Sequence, residues 1–422
     1  MVTATAKPVT VQQILQQYHS TSRHPHVQHV IAQLKRCKTN DLGFHLYKCK
    51  DEGCAKYTYQ YHSCRNRHCA QCGGFKKDEW IEERRRELLP IGYYHVVFTL
   101  PHELNSLILG NRQQLLKLLF DCSAQTLLAF GKDEKHLGAQ PGIISVLHTW
   151  GQDLSFHPHV HCIVSGGGIV TSPGPLDVTG RSKELVTWRH AKRIQDNFLF
   201  PVNAMRVVFR AKYLAGIKSL HANGLLRIQN GSQVQQLINR LFRKNWNLYA
   251  KAPCAGPEQV IEYLGRYTHK VAISNYRIME NDTLNGTVTF RYKDYADGNA
   301  IKLMTLTGIE FVRRFAQHIL PKQFTKIRSY GYLSNRGRTQ RLDRITEAMK
   351  IPPPPPKVKI PWPIRLYEKI GIRGTTCPHC KKESLELVWV SFDLALNMSN
   401  RLYSTLSNPL GQDALLIGYN DS

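Results

Sequence analysis

His157-Pro158-His159-Val160-His161 sets three histidines at alternate positions in a stretch whose neighbours read as a β-strand. Period-two geometry turns those imidazoles to one side of a sheet and sends Val160 back into the core. Two neutral ring nitrogens so placed can hold one divalent ion, an arrangement suited to metal-assisted work on a phosphodiester. A histidine-rich strand standing alone also reads as merely amphipathic, so its company decides.

Upstream, Tyr93-Tyr94-His95-Val96-Val97-Phe98-Thr99 and Ile143-Ile144-Ser145-Val146-Leu147-His148 read as further strands, the second forming a hairpin with the histidine strand. Short helices are predicted between residues 11 and 35, and longer ones over 74–89 and 103–130. Beyond Gly166-Gly167-Gly168 the pattern is loop-like to about 185, then helical to His221. Further strands are expected near 247–250, 271–278, 287–293 and 301–306, and helices over 257–267, 307–319 and 335–349. Pro352 to Pro356 cannot continue a helix and mark a boundary. The expected units are 1–73, an N-terminal helical and metal-binding module; 74–350, a mixed α and β main domain; 351–363, a proline-rich linker; and 364–422, a region without an assigned role.

The 422 residues carry 57 Lys and Arg against 31 Asp and Glu, a formal charge of +26 that makes nucleic acid the expected partner. No leader pattern and no bilayer-length apolar run is visible, which predicts a cytoplasmic protein with no membrane partner. In that reducing compartment the 11 cysteines need a use other than disulfides. Cys49-x4-Cys54 and Cys69-x2-Cys72 are spaced to hold one tetrahedral Zn²⁺ through four thiolates. Cys37, His45, Cys64 and His68 are candidates for a second zinc. Arg65, Arg67, Lys76 and Lys77 surround these ligands and are placed to meet phosphates. Cys377-Pro378-His379-Cys380 looks like half a knuckle with no second half after the proline spacer, and reads as a surface turn.

Tyr263-x3-Tyr267 puts two phenols on one face of a helix about one turn apart. They read either as a core pair or, beside a metal site, as nucleophiles toward a polarised phosphate. Taken with Ser63-Cys64-Arg65-Asn66-Arg67-His68-Cys69, Phe98-Thr99-Leu100-Pro101, Leu147-His148-Thr149-Trp150-Gly151-Gln152 and His159-Val160-His161, this pair resembles the insertion sequence 91 family. These are two-tyrosine rolling-circle transposases of the HUH nuclease superfamily, and the likeness spans roughly residues 25 to 350.

The resemblance implies an α+β fold: a palm-like antiparallel sheet with flanking helices, preceded by a small zinc-binding module. It implies that His159 and His161 hold Mg²⁺ or Mn²⁺, with Gln152 as third ligand and His148, Asp153, His157 and His269 as competitors. His157 ranks behind the other histidines as a supporting residue. Tyr263 and Tyr267 would alternate as nucleophiles at the ends of an insertion sequence, through 5′-phosphotyrosine intermediates, with Arg266 and Lys270 neutralising phosphate. Arg313, Arg314, Lys326, Arg328, Tyr330 and Tyr332 are further candidates for single-stranded DNA contact. No Gly-rich phosphate loop ending in Lys-Ser/Thr is present, so unwinding would fall to a host helicase and the replication machinery of the nucleoid. A replication initiator with the same core, nicking a plasmid or phage origin, and a non-enzymatic zinc-dependent DNA-binding protein are the alternatives.

Overall fold

A computed structural model describes residues 8–72, 74–176, 182–191, 199–228, 230–254, 259–260, 265, 270–353 and 373–392. In chain order its elements are α1 (Val11–Gln17), α2 (Pro25–Lys35), β1 (Gly43–Cys49), β2 (Tyr57–Tyr61), α3 (Gly74–Arg85), β3 (Tyr93–Thr99), α4 (Asn105–Gly110), α5 (Arg112–Lys132), β4 (Gln140–Trp150), β5 (Phe156–Leu176), β6 (Ser182–His190), α6 (Val202–Ala222), α7 (Gly231–Arg243), β7 (Leu248–Cys254), β8 (Ile278–Asp282), β9 (Thr287–Asp294), β10 (Ala300–Thr307), α8 (Gly308–Gln317), β11 (Ile327–Gly331), α9 (Arg338–Met349) and β12 (Leu385–Phe392).

The central sheet runs β11-β4-β5-β3-β7, with β6 on the far part of β5, and every pairing in it is antiparallel. Alternation divides its residues between two faces. Phe98, Val96, Tyr94, Leu147, Ile143, Val160, Cys162 and Val164 enter one large core with α5 and α6. Tyr93, Ile144 and Ile163 enter another, closed by Leu342 and Ile345 of α9 and by Val260. The histidines belong to this second face, because His161 opposes Val146 and His159 opposes His148 in the same register that pairs Ile163 with Ile144.

The expected loop after Gly166 is instead strand, since β5 continues to Leu176 and pairs with β6. The glycines are there for close passage. A Cβ on Gly166 would stand 2.8 Å from the Gly92 carbonyl oxygen, and one on Gly168 2.6 Å from that of Gln140. Among the described residues, the helix expected up to His221 is α6, and residues 182–190 are strand.

Two smaller sheets flank this centre, β10-β9-β8 and β12-β1-β2. The first packs with α8 and with α1 and α2 in a single core that takes in Val11, Ile14, Val30, Phe290, Phe311 and Phe315. The N-terminal helices therefore rest on residues 278–316 rather than on the cysteine module alone. The other small sheet joins the two ends of the described chain. β12 pairs antiparallel with β1, so residues 385–392 complete the cysteine module instead of forming a separate unit. Pro354, Pro355 and Pro356 lie outside the described residues. Among the described residues no helix is long and apolar enough to cross a membrane.

Candidate metal centres and nucleic-acid site

His148, His159 and His161 each offer a ring nitrogen, and these atoms all lie within 4.8 Å of one another. The β4–β5 register makes this inevitable, because His148 faces His159 directly and His161 lies one same-face step along β5. His161 is 9% and His148 3% exposed, while His159 is more open. Burial pushes His159 down to about 4 and His161 well below the usual histidine range, and the nearby charge of Lys270 adds to both shifts. Neutral imidazoles are what a metal requires.

Hydrogen bonds orient the rings. His159 Nδ1 lies 2.7 Å from the His157 carbonyl oxygen, which only accepts, so Nδ1 carries the proton and Nε2 keeps its lone pair. His161 Nδ1 lies 2.9 Å from His95 Nε2, so the two rings orient each other. His95, buried and held down to about 3 by desolvation, is a supporting residue that sequence reasoning missed; its place in the β3 strand opposite Ile163 is the only signal. Trp150 stacks on His148 at 4.6 Å between ring centroids, with Lys326 Nζ 5.1 Å above the indole.

Gln152 is engaged elsewhere, its side-chain amide donating to the Tyr295 hydroxyl at 3.1 Å, whereas His148, one of its competitors for the third place, lies with the other two histidines. His157 contributes its backbone rather than its ring. The turn between the two histidine strands is held by three side chains from residues 275–318: Arg277 donates to the Gln152 carbonyl, Arg314 to that of Asp153 at 3.0 Å, and His318 to that of Leu154 at 3.2 Å. Leu154 itself is fully buried in the core beneath.

The cysteines group differently from their spacing. Cys37, Cys64, Cys69 and Cys72 form one cluster, and Cys49, Cys54, Cys377 and Cys380 form another. The expected set of Cys49, Cys54, Cys69 and Cys72 is therefore split between the two. Neither His45 nor His68 belongs to a cluster: His45 Nδ1 meets His62 Nε2 at 3.0 Å, and His68 Nε2 accepts from the Leu320 amide at 3.3 Å. Sulfur separations are 3.5 Å for Cys37–Cys69, 3.6 Å for Cys64–Cys72, 3.7 Å for Cys49–Cys380 and 3.8 Å for Cys54–Cys377. Tetrahedral zinc with bonds of about 2.3 Å sets its sulfurs about 3.8 Å apart, so both donor sets fit that ion. A backbone hydrogen bond from Lys382 leads the causes that bring Cys380 down to about 7, and the Ser384 hydroxyl lies 2.9 Å from the Cys49 sulfur. Cys377 and Cys380 are thus ligand candidates, not a surface turn.

Tyr263, Tyr267, Arg266 and His269 lie outside the described residues, as do the side chains of Lys76 and Lys77. Arg67 is engaged structurally, donating to the carbonyls of Phe324 and, at 3.1 Å, Pro321, while Arg65 is exposed beside Cys64. Lys270 and Lys326 line one pocket with Arg67 and Trp150. Arg313 and Arg314 both bond Glu310; Arg328 lies over Phe120, and Tyr332 is fully buried, so these four serve the fold.

Two family models match the chain, one described as "Putative transposase" over residues 142–341 and one as "Transposase zinc-binding domain" over 10–100. The first span holds all three clustered histidines, and the second holds six cysteines but neither Cys377 nor Cys380. Among known proteins, the chain is similar to "Putative transposase y4qJ" of Sinorhizobium fredii, with 37% identity over 361 residues, 83% of this chain and 86% of that protein. It is also similar to the "Transposase for insertion sequence element IS801" of Pseudomonas savastanoi pv. phaseolicola, with 31% identity over 333 residues, 78% of this chain and 76% of that one. No solved structure matches.

Proposed function

The chain belongs to the insertion sequence 91 family of transposases, and from that premise we propose that it cuts and rejoins single-stranded DNA at the ends of an insertion sequence through 5′-phosphotyrosine intermediates, in a rolling-circle scheme. The observation that carries the reading is the convergence of His148, His159 and His161 on one sheet face, with the Nδ1 of His159 donating to the His157 carbonyl so that its Nε2 keeps a lone pair.

These three residues would hold Mg²⁺ or Mn²⁺, of which Mn²⁺ accepts imidazole more readily. When bound, the ion polarises the scissile phosphate and stabilises negative charge on its non-bridging oxygens. Tyr263 and Tyr267 are the proposed nucleophiles. Val260, three residues before Tyr263, packs with Ile144 and Ile163 on the histidine-bearing face, and Lys270, three residues after Tyr267, acts electrostatically on His159 and His161. The described residues that bracket both phenols in the chain, Val260 and Lys270, thus belong to the histidine-bearing face or act on its rings, which supports the reading. In the cutting step a phenolic oxygen bonds to phosphorus as the bond from phosphorus to the 3′-oxygen breaks. The phenol loses its proton, the 3′-oxygen takes one up, and the free 3′-hydroxyl is available to a host polymerase, with strand separation left to a host helicase. Lys270 and Arg266 are proposed to neutralise the phosphates on either side, and Arg65 those that reach the zinc-binding domain.

Wild type, His159→Ala and the double variant Tyr263→Phe with Tyr267→Phe are to be incubated with single-stranded element ends and Mg²⁺ or Mn²⁺. A covalent protein–DNA adduct on denaturing gels is expected for wild type alone. If wild type forms none, the reading is wrong.

A further inference from the structure

One face of the molecule takes no part in this chemistry. On β2, Tyr57, Tyr59 and Tyr61 stand at alternate positions and are 52, 54 and 41% exposed, so three phenols line one side of the β12-β1-β2 sheet. Leu46 of β1 opposes Tyr59 on one flank and Trp389 on the other, which sets Trp389, 57% exposed, on the same side. The rings of Tyr59 and Tyr61 are within 14° of parallel with centroids 6.3 Å apart. Phe44 packs against both in T-shaped contacts at 5.2 and 6.1 Å, which fixes their orientation before any ligand arrives.

Folded surfaces seldom leave so many large rings together in water unless something covers them. The surroundings say what. Lys48 lies over the Tyr57 ring at 5.9 Å, Lys56 is exposed immediately before β2, and the chain as a whole carries +26. Rings on a sheet face with cations beside them match the chemistry of unpaired bases on a phosphate backbone, whose π-faces a duplex keeps hidden. The interval between the tyrosines suits a strand drawn out beyond its stacked rise of about 3.4 Å per nucleotide.

We propose that Tyr57, Tyr59, Tyr61 and Trp389 form a stacking platform for the bases of single-stranded DNA. The inference rests on the reading of this chain as acting on DNA, but it concerns holding the strand rather than cutting it. Trp389 reaches the platform only because β12 lies against β1, where the cluster of Cys49, Cys54, Cys377 and Cys380 fastens the two ends together.

The test is fluorescence anisotropy of the full chain with labelled oligo(dT) of about 16 nucleotides, in a His159→Ala background so that cleavage has no bearing on the result. Each of Tyr59→Ala and Tyr61→Ala is expected to weaken binding about tenfold, with Tyr→Phe at either position within about twofold, because stacking needs the ring and not the hydroxyl. The salt dependence should be unchanged, since no phosphate contact is removed. Duplex of equal length should bind equally to all variants. Should the alanine variants lose zinc, quenching of Trp389 fluorescence by oligo(dT), read as the difference between wild type and Trp389→Phe, decides instead. Unaltered affinity in the alanine variants, or no Trp389 quenching, overturns the proposal. So does tighter binding of oligo(rU), which assigns the face to RNA, or a change of oligomeric state in the variants, which assigns it to a second copy of the chain.

Discussion

Replacing His148 probes the candidate metal centre most directly, because Gln152 competes for the same role on sequence grounds. His148→Ala is expected to abolish adduct formation as fully as His159→Ala, whereas Gln152→Ala, which breaks only the contact to Tyr295, stays within about threefold of wild type in single-turnover cleavage. Equal losses in both would restore Gln152. His95 touches no ion but orients His161, so His95→Ala should raise the Mn²⁺ concentration for half-maximal activity about 10- to 100-fold while leaving the rate at saturation nearly intact. What made His159 and His161 legible is purely local: two histidines around one apolar residue in a strand. His148 needed the register of β4 against β5, which hairpin length alone leaves open by a residue, and a one-residue slip would have turned it to the other face.

At the scale of elements, the β4–β5 turn is where the two larger cores meet. Leu154 sits fully buried with a left-handed φ of 61°, and the side chains of Arg277, Arg314 and His318 take the carbonyls of residues 152 to 154. Truncating that anchor, Leu154→Ala, should cost about 2–5 kcal/mol of stability and loosen the histidine strands, read as a lowered thermal midpoint with weaker metal binding. His318 gives this latch a pH signature. Burial holds its ring down to about 4 against an ordinary 6.5, so the unfolded chain takes up a proton that the fold refuses between those values. The stability it supports is present above 6.5 and lost as the pH falls toward 4. His318→Gln should flatten part of that loss in urea titrations across this window, and an unchanged pH slope would count against the assignment. None of this latch could be read from the sequence, since Arg277 and His318 lie far from the turn in the chain and carry no motif.

The whole molecule differs most from its sequence reading in the cysteines. Spacing identified the right residue type and the right module, but thiols at several intervals can be grouped in more than one way, and only the fold shows that Cys37 sits with Cys64, Cys69 and Cys72. For Cys54 the partner Cys377 lies 323 residues on, beyond the reach of any spacing rule. The strands at the centre of the antiparallel sheet, β3, β4 and β5, by contrast, were legible because each announces itself by composition, whereas β6 and β11 at its margins were not. Two zinc ions per chain are expected by elemental analysis. Cys377→Ser with Cys380→Ser should leave one, and raise proteolytic sensitivity within residues 385–392 without unfolding the central sheet. A single zinc in wild type would refute the second centre.

The pairing of β12 with β1 also bears on how the protein is made. β1 with Cys49, and Cys54 after it, emerge early in synthesis, whereas the strand and the sulfurs that complete them come only after the central sheet and α9 have been translated. A nascent or truncated chain that stops before Cys380 leaves β1 with one open edge and Cys49 and Cys54 with half a ligand set. The N-terminal module is therefore finished only after the central sheet, once the ribosome has passed residue 392.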